Sequence, residues 1–238
     1  MKPIVSTPNR TEQVYAAIRD SICEGSLAPS THLVQEDLAA RLGVSRQPVQ
    51  QAMILLKNDG LVVESARRGL YVAPLDAEAT INRYQIRIAL DQLAARLVAE
   101  RAAGSQGFAA RLRREGDEIL DAGVRALNQE RFYEAVGHDL EFHWFIYEMS
   151  GNPLIGITAE PHWHYLRRVM NAVLRQARRG PVVWDEHLQI LDLLVEGDIE
   201  GSLFMVEMHA RGAQDAFIAV LPGTDRATGQ MEPASESA

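Results

Sequence analysis

The sequence has one cysteine, few aromatic residues and no long apolar run. Cys23 is the only cysteine among 238 residues, so no intrachain disulfide can form, which agrees with a reducing cytosol. No stretch of about 18 apolar residues is present to span a bilayer. The first ten residues also lack the apolar run of a secretion signal. We therefore expect a soluble, cytoplasmic protein with no membrane partner.

Positive charge is scarce over most of the chain, whose formal net charge is -8. The first 75 residues hold 8 Lys and Arg against 7 Asp and Glu, while the rest hold 16 against 25. A nucleic-acid reader must neutralise phosphates, so an acidic protein needs a locally basic surface for this role. The near-neutral first part is where we expect such a surface.

The length and the 47% hydrophobic content suit one large domain or two modest ones, and we favour two. The domains are expected at 10–75 and 76–221. A loose tail at 1–9 precedes them, and the polar, small-residue composition of 222–238 is typical of a disordered tail.

Two short helices joined by a tight turn are predicted in the first domain. QEDLAARL at 35–42 has the apolar spacing of an amphipathic helix, and Gly43 forms a corner before the next one. Ser45 is predicted to cap that next helix with its hydroxyl. Pro48 still lies in its first turn, where the missing N–H does no harm.

A helix before this pair and a hairpin after it complete the domain. Apolar residues recur every four positions within 11–24, and the third helix is expected to stop at 58–60. Two β-prone runs, Leu61–Val63 and Leu70–Val72, then flank a turn that contains Arg67, Arg68 and Gly69. Three helices and a hairpin form a winged helix-turn-helix, whose third helix enters the major groove of DNA.

Polar residues stand near the start of the third helix, where base reading requires them. Arg46 can reach a phosphate or guanine, and the amides of Gln47 and Gln50 can pair with adenine. The positive end of the helix dipole, at Ser45, also favours phosphate. The alternative is an ordinary amphipathic surface helix, and the wing residues favour DNA binding over it.

Residues 10–75 resemble the DNA-binding domain of the GntR family of bacterial transcription regulators. The match includes Gly25, the run LAARLGVSRQPV at 38–49 and a wing strand at 69–72. The family usually continues Pro-Val-Arg-Glu-Ala, whereas this chain has Gln50 where an arginine often contacts guanine. The resemblance implies operator binding, with a changed operator preference or a weaker phosphate affinity caused by Gln50.

The second domain has helical periodicity throughout. We predict six helices, over 78–103, 106–128, 130–150, 153–179, 182–196 and 199–220. Together with the winged head they make the chain a mainly α protein with a C-terminal all-helical bundle.

Polar side chains interrupt the apolar stripes of three of these helices. Asp139 and His143 lie four residues apart, on a stripe that is predicted to begin at Phe132. His187 and His209 fall on the stripes of the fifth and sixth helices. One divalent metal would satisfy all four groups, and hydrogen-bonded core histidines are the alternative. Three other histidines are interpreted as surface or pocket-rim residues: His138, His162 and His164.

Residues 78–220 resemble the FCD effector domain of the FadR-like GntR subgroup, an all-helical module. The resemblance rests on Asp139 with His143, then Ser-Gly-Asn at 150–152, then Glu186 with His187, and then His209. It implies that the aspartate and three histidines bind a divalent metal, most often zinc, with nickel or manganese as alternatives. It also implies a pocket for a small carboxylate effector beside the metal.

Arg87 and Asp91 resemble an Arg-x-x-x-acid element on the first helix of that domain. The resemblance implies effector binding by Arg87, through the carboxylate of the effector. An internal ion pair between Arg87 and Asp91 is an equal alternative.

These features predict a metabolite-responsive, sequence-specific transcription regulator and not an enzyme. We expect a homodimer on a near-palindromic operator, a small organic-acid effector and repression that the ligand relieves, with the opposite sign left open. A metal-dependent hydrolase and a structural metal-binding helical oligomer are the alternatives. No dedicated general base stands beside the four ligands, and a hydrolase does not require residues 10–75.

Overall fold

The computed structural model describes residues 9–65, 69–174 and 180–220, which contain nine α-helices and one two-stranded sheet. The strands are β1 Val62–Ser65 and β2 Gly69–Val72. The helices are α1 Arg10–Glu24, α2 Gln35–Leu42, α3 Arg46–Asn58, α4 Ala77–Gly104, α5 Gln106–Asn128, α6 Phe132–Ser150, α7 Pro153–Leu174, α8 Gly180–Glu196 and α9 Ile199–Val220. The predicted mainly α fold is confirmed. Within these ranges no helix is long and apolar enough to cross a membrane.

Helices α1 to α3 and the hairpin form the head, residues 10–75. A capping box starts α1, because the Asn9 side chain accepts from the first turn and the Glu12 carboxylate accepts from the Asn9 amide. Gly43 has a φ of 65° after α2, a conformation that glycine adopts without strain. The apolar core of the head includes Val14, Ile18, Ile22, Leu38, Val49, Leu56, Leu61 and Val72.

Ser45 is the N-cap residue of α3, as predicted, but the predicted capping hydrogen bond is wrong. Ser45 precedes α3 with an extended backbone, but its hydroxyl makes no capping hydrogen bond. The residue is exposed, so water can satisfy the first amides of α3 in place of the side chain.

The hairpin lies where the sequence places it, with each strand within a residue or two of the prediction. β1 and β2 are antiparallel, with Val62 opposite Val72, and His32 adds an isolated bridge to Tyr71. Gly69 is the first residue of β2. Arg67 and Arg68 lie outside the described residues, as do the predicted tails except for Asn9.

Helices α4 to α9 form the bundle, and α4 is its central helix because it contacts each of the other five. The C-terminal half of its buried face consists of small residues, among them Ala94, Ala95, Val98 and Ala99, which allow close helix approach. Phe132 is 41% exposed, so its predicted inward position is wrong. It is the first residue of α6 and stands at the end of the stripe, whereas Val136 is fully buried.

The head docks on the bundle through α1 and α7. The Tyr15 hydroxyl donates to Asp59 and lies 3.1 Å from Nδ1 of His164. Arg168 donates to the carbonyl oxygen of Ala73 at 2.6 Å. His164 therefore lies between the two domains, and its predicted surface or rim position is corrected by this packing.

Cys23 offers a test of this docking. Its thiol is 1% exposed, donates to the carbonyl oxygen of His164 at 3.4 Å, and has its pKa raised by burial to about 11. We expect Cys23 of the folded protein to react with a disulfide reagent at pH 8 at least about 100-fold more slowly than in urea. Little of the thiol is ionised at this pH, and the reagent cannot reach it in the folded protein. A Tyr15→Phe variant should react faster, and Tyr71→Phe, in the wing, should not. Equal rates for folded and unfolded protein would contradict the buried interface.

Candidate metal centre and nucleic-acid interface

Four side chains of types that can bind a metal converge inside the bundle from three helices. Asp139 and His143 come from α6, His187 from α8 and His209 from α9. One ligand atom of each lies within 4.8 Å of those of the others, and all four residues are buried. The sequence places all four residues on the apolar stripes of their helices, and such stripes meet in the core of a bundle. The predicted convergence of the four side chains is therefore observed.

The donor atoms point toward a common centre. Nε2 of His187 lies 3.3 Å from Nε2 of His209 and 3.4 Å from Oδ1 of Asp139. The ring centroid of His143 is 5.3 Å from those of both other histidines. Three imidazole nitrogens and one carboxylate oxygen are a donor set for zinc and its neighbours among the first-row divalent ions.

Glu186 orients one of these ligands. Its Oε2 lies 2.8 Å from Nδ1 of His209, so that nitrogen can donate to the carboxylate while Nε2 faces the other three side chains. The sequence motif paired Glu186 with its neighbour His187. The structure pairs it with His209 on the next helix, a contact that only the packing of α8 on α9 produces.

Burial sets the protonation of the cluster. It lowers the pKa of His143 and of His187 well below the usual value, and Arg87 adds to the effect at His143. Both imidazoles are therefore neutral near pH 7, which is the protonation state that a metal ligand requires. Burial also raises the pKa of Asp139 to about 7, with Asp91 adding to the increase and Arg87 opposing it.

The residues present fit a divalent cation. Oδ2 of Asp139 is buried and has no hydrogen-bond partner among the described residues, and the same holds for Nδ1 of His187. An unpaired buried polar atom is costly, and a cation at this point would offset the cost for the carboxylate. This observation favours a metal over hydrogen-bonded core histidines.

Arg87 lies beside these four residues and forms the internal ion pair with Asp91, one of the two alternatives that the sequence left open. Its Nε donates to Oδ2 of Asp91 at 3.1 Å, which is the internal ion pair. Its Nη2 donates to Nε2 of His143 at 2.7 Å, so that nitrogen carries no proton. Its Nη1 is buried without a hydrogen-bond partner among the described residues. One donor of the guanidinium is thus available for a ligand.

Two aromatic residues that the sequence did not single out, Trp163 and Tyr147, also contact this group of side chains. The Trp163 ring lies 4.3 Å under the Arg87 guanidinium and 4.9 Å from the His143 ring. Its indole N–H donates to the Tyr147 hydroxyl at 3.1 Å, and Tyr147 in turn donates to Asp91. An Arg stacked on Trp is a recognisable element, but the partners lie on α4 and α7, far apart in sequence.

The predicted DNA-facing residues of α3 are at the surface. Ser45, Arg46, Gln47 and Gln50 are exposed at or near the start of the helix. Ile54, on the same face as Gln47 and Gln50, is 61% exposed, which the sequence analysis missed. Exposure of an apolar side chain on this face fits contact with a thymine methyl group.

A groove of about 610 Å³ lies between the start of α2, the start of α3 and the hairpin. Arg46 and Gly69 line it. The other lining residues were not predicted to contact DNA: His32, Leu33, Val34, Gln35, Glu36, Glu64 and Leu70. Glu36 contacts Arg46 directly, with Oε1 2.8 Å from Nη1. Arg46, which is predicted to contact DNA, is thus already paired with a carboxylate of the head.

Two family models match the chain. The model described as "Bacterial regulatory proteins, gntR family" matches residues 10–72, and the model of the FCD domain matches residues 82–212. The second match alone covers more than half of the chain. The two matched ranges correspond to the head and to the bundle.

Similar proteins support this assignment. An HTH-type transcriptional regulator in an unstable DNA locus of Streptomyces ambofaciens is 28% identical over 89% of this chain and 87% of its own. The HTH-type transcriptional repressor RspR of Escherichia coli K12 is 26% identical over 79% of each chain.

Solved structures share the fold. A GntR transcriptional regulator from Rhodococcus sp. RHA1 has a TM-score of 0.73 and 25% identity over 89% of this chain and 99% of its own. E. coli McbR/YncC has a TM-score of 0.72 at 19% identity, over 90% and 99% of the two chains. The chain therefore belongs to the GntR family of transcription regulators and joins a winged helix-turn-helix to an FCD domain.

Proposed function

We propose that this GntR-family regulator is a metabolite-responsive, sequence-specific repressor that acts in the cytoplasm. Its bundle binds a divalent metal and a small carboxylate effector, and the effector releases the operator. The observation that carries the proposal is the convergence of four buried metal ligands in a chain whose recognition helix is exposed. The relative RspR is a transcriptional repressor, which supports repression as the effect on transcription.

The metal would be held by Asp139, His143, His187 and His209. Zinc is the ion we propose first, with nickel and manganese as alternatives that accept the same donors. When bound, the ion supplies positive charge that can attract an anionic ligand. The protein would contribute neutral imidazoles, a carboxylate and the orienting bond from His209 to Glu186.

The effector would be a small organic acid that is held by Arg87. The guanidinium is fixed by Asp91 and Trp163, and Nη1 lacks a partner among the described residues. A carboxylate could accept from Nη1 and also draw Nη2 away from His143. The internal ion pair and effector binding are then compatible functions of one side chain.

The operator would be read by the N-terminal part of α3 and by the wing. We propose base or phosphate contacts from Ser45, Arg46, Gln47 and Gln50, and backbone contacts from Arg67, Arg68 and Gly69. Two glutamine amides favour adenine over guanine in the half-site. Gln50 in place of the family arginine would reduce guanine selection.

A homodimer on a near-palindromic operator completes the proposal. Exposed apolar side chains support it, since α4 presents Ile86 and Leu93, and the adjacent α9 presents Phe204 and Met208, all more than 40% exposed. Gln92 links the two helices by donating to Glu207 at 3.0 Å. A second copy that covers this face would remove apolar surface from water.

The hydrolase and structural-oligomer alternatives are less well supported. The relatives described above are HTH-type transcription regulators, and the gntR family model matches residues 10–72 of this chain. A hydrolase would leave the exposed recognition helix without a role.

Metal content tests the site. Protein purified without added metal should carry close to one divalent ion per chain by elemental analysis, and His143→Ala and His187→Ala should lose it, because each removes one of four ligands. His138→Ala is the matched control, since His138 is bonded to Glu141 at the surface of α6. Circular dichroism checks that the variants fold. Equal metal content in all three variants would contradict the assignment.

Operator and effector binding test the regulator. We expect a salt-sensitive gel shift with DNA upstream of the chain's own gene, and at least one organic acid that raises the melting temperature and weakens the shift. Arg87→Lys keeps a charge for Asp91 but should lose about tenfold or more in acid affinity, because one ammonium cannot replace the fork. Arg96→Lys, at the exposed face of α4, is the control. Absence of any sequence-selective shift, with or without acids, would contradict the proposal.

A further inference from the structure

The first residue of the recognition helix is already paired with a carboxylate. Arg46 starts α3, and its Nη1 lies 2.8 Å from Oε1 of Glu36 in the first turn of α2. Both side chains are largely exposed, at 60% and 67%. The pair is therefore on the surface that would face a DNA duplex, where solvent can reach it.

The other basic residue of α3 is paired in the same way. Lys57 lies 2.8 Å from Oε2 of Glu64, which belongs to β1 and lines the same groove as Glu36. Arg46 and Lys57 are the only basic residues of α3. Each cation of the helix is thus matched by a carboxylate that lines this groove, which phosphates would approach.

We propose that Glu36 limits the DNA affinity of this protein by competing with DNA for Arg46. The inference rests on the DNA-binding part of the proposed function and is independent of the metal and the effector. Binding would exchange the Arg46–Glu36 pair for a contact of Arg46 with a phosphate or a guanine. Glu36 would then be left unpaired beside the duplex.

Two effects of this exchange oppose binding. The guanidinium must leave a carboxylate at contact distance before it can bind DNA, although an exposed pair of this kind is weak. The released carboxylate also repels phosphates. It attracts a cation from solution, which lowers the net number of counterions that DNA binding releases. Affinity and its dependence on salt are therefore both lower than Arg46 alone would give.

The test is a double-mutant cycle between Glu36 and Arg46. The operator affinities of wild type, Glu36→Gln, Arg46→Gln and the double variant are measured by fluorescence anisotropy, on DNA upstream of the chain's own gene and on a random duplex of equal length. We expect Glu36→Gln to bind about three- to tenfold more tightly at about 0.1 M salt, with a log–log salt slope steeper by up to about one. In the Arg46→Gln background, the same change should have a clearly smaller effect.

Asp37→Asn is the matched control, because Asp37 is the next residue of the same turn and, among the described residues, forms no ion pair with Arg46. It should change affinity less than Glu36→Gln. An equal gain from Asp37→Asn, or a gain from Glu36→Gln that persists in the Arg46→Gln background, would mean general repulsion and overturn the proposal. Weaker binding by Glu36→Gln would mean that Glu36 positions Arg46 for DNA and would overturn it too. Failure of wild type to bind DNA selectively would instead contradict the regulator itself.

Discussion

The burial of four polar ligands in an apolar bundle is the constraint on which the rest of the structure depends. A buried carboxylate and three buried imidazoles need polar partners, and within the described residues Oδ2 of Asp139 has none. The helices that carry them, α6, α8 and α9, are held close by the small side chains of α4. The proposed cation would satisfy groups from three helices together, so the site and the packing of the bundle would support each other.

Helix α7 connects this site to the head through successive residues. Trp163 packs under Arg87 and beside His143, and His164 contacts Tyr15 and the carboxylate of Asp59 at the base of the head. A ligand that binds one position of α7 better than another would thereby favour one position of the head. The winged head is thus mechanically tied to the site and is not a separate body on a free linker.

Periodicity predicted the helices and the burial of the four candidate ligands, because it specifies which face of a helix is buried. Asp139 and His143 share a stripe, and that stripe had to meet those of α8 and α9 in a single core. Periodicity could not predict partners across the bundle, such as the bond of Arg87 to His143 or the place of His164 between domains. These depend on helices 56 to 149 residues apart in sequence. It also failed where a stripe ends, at Phe132. Residue type likewise predicted a capping hydrogen bond at Ser45 that the structure does not show.

X-ray absorption at the metal edge addresses the central claim most directly, since it reports the atoms bound to the ion whatever the protein's partners are. The account predicts nitrogen and oxygen ligands only, at about 2.0–2.2 Å for zinc, with the outer-shell scattering of three imidazoles. A sulfur ligand at about 2.3 Å, or the scattering of fewer than two imidazoles, would place the ion elsewhere and contradict the account.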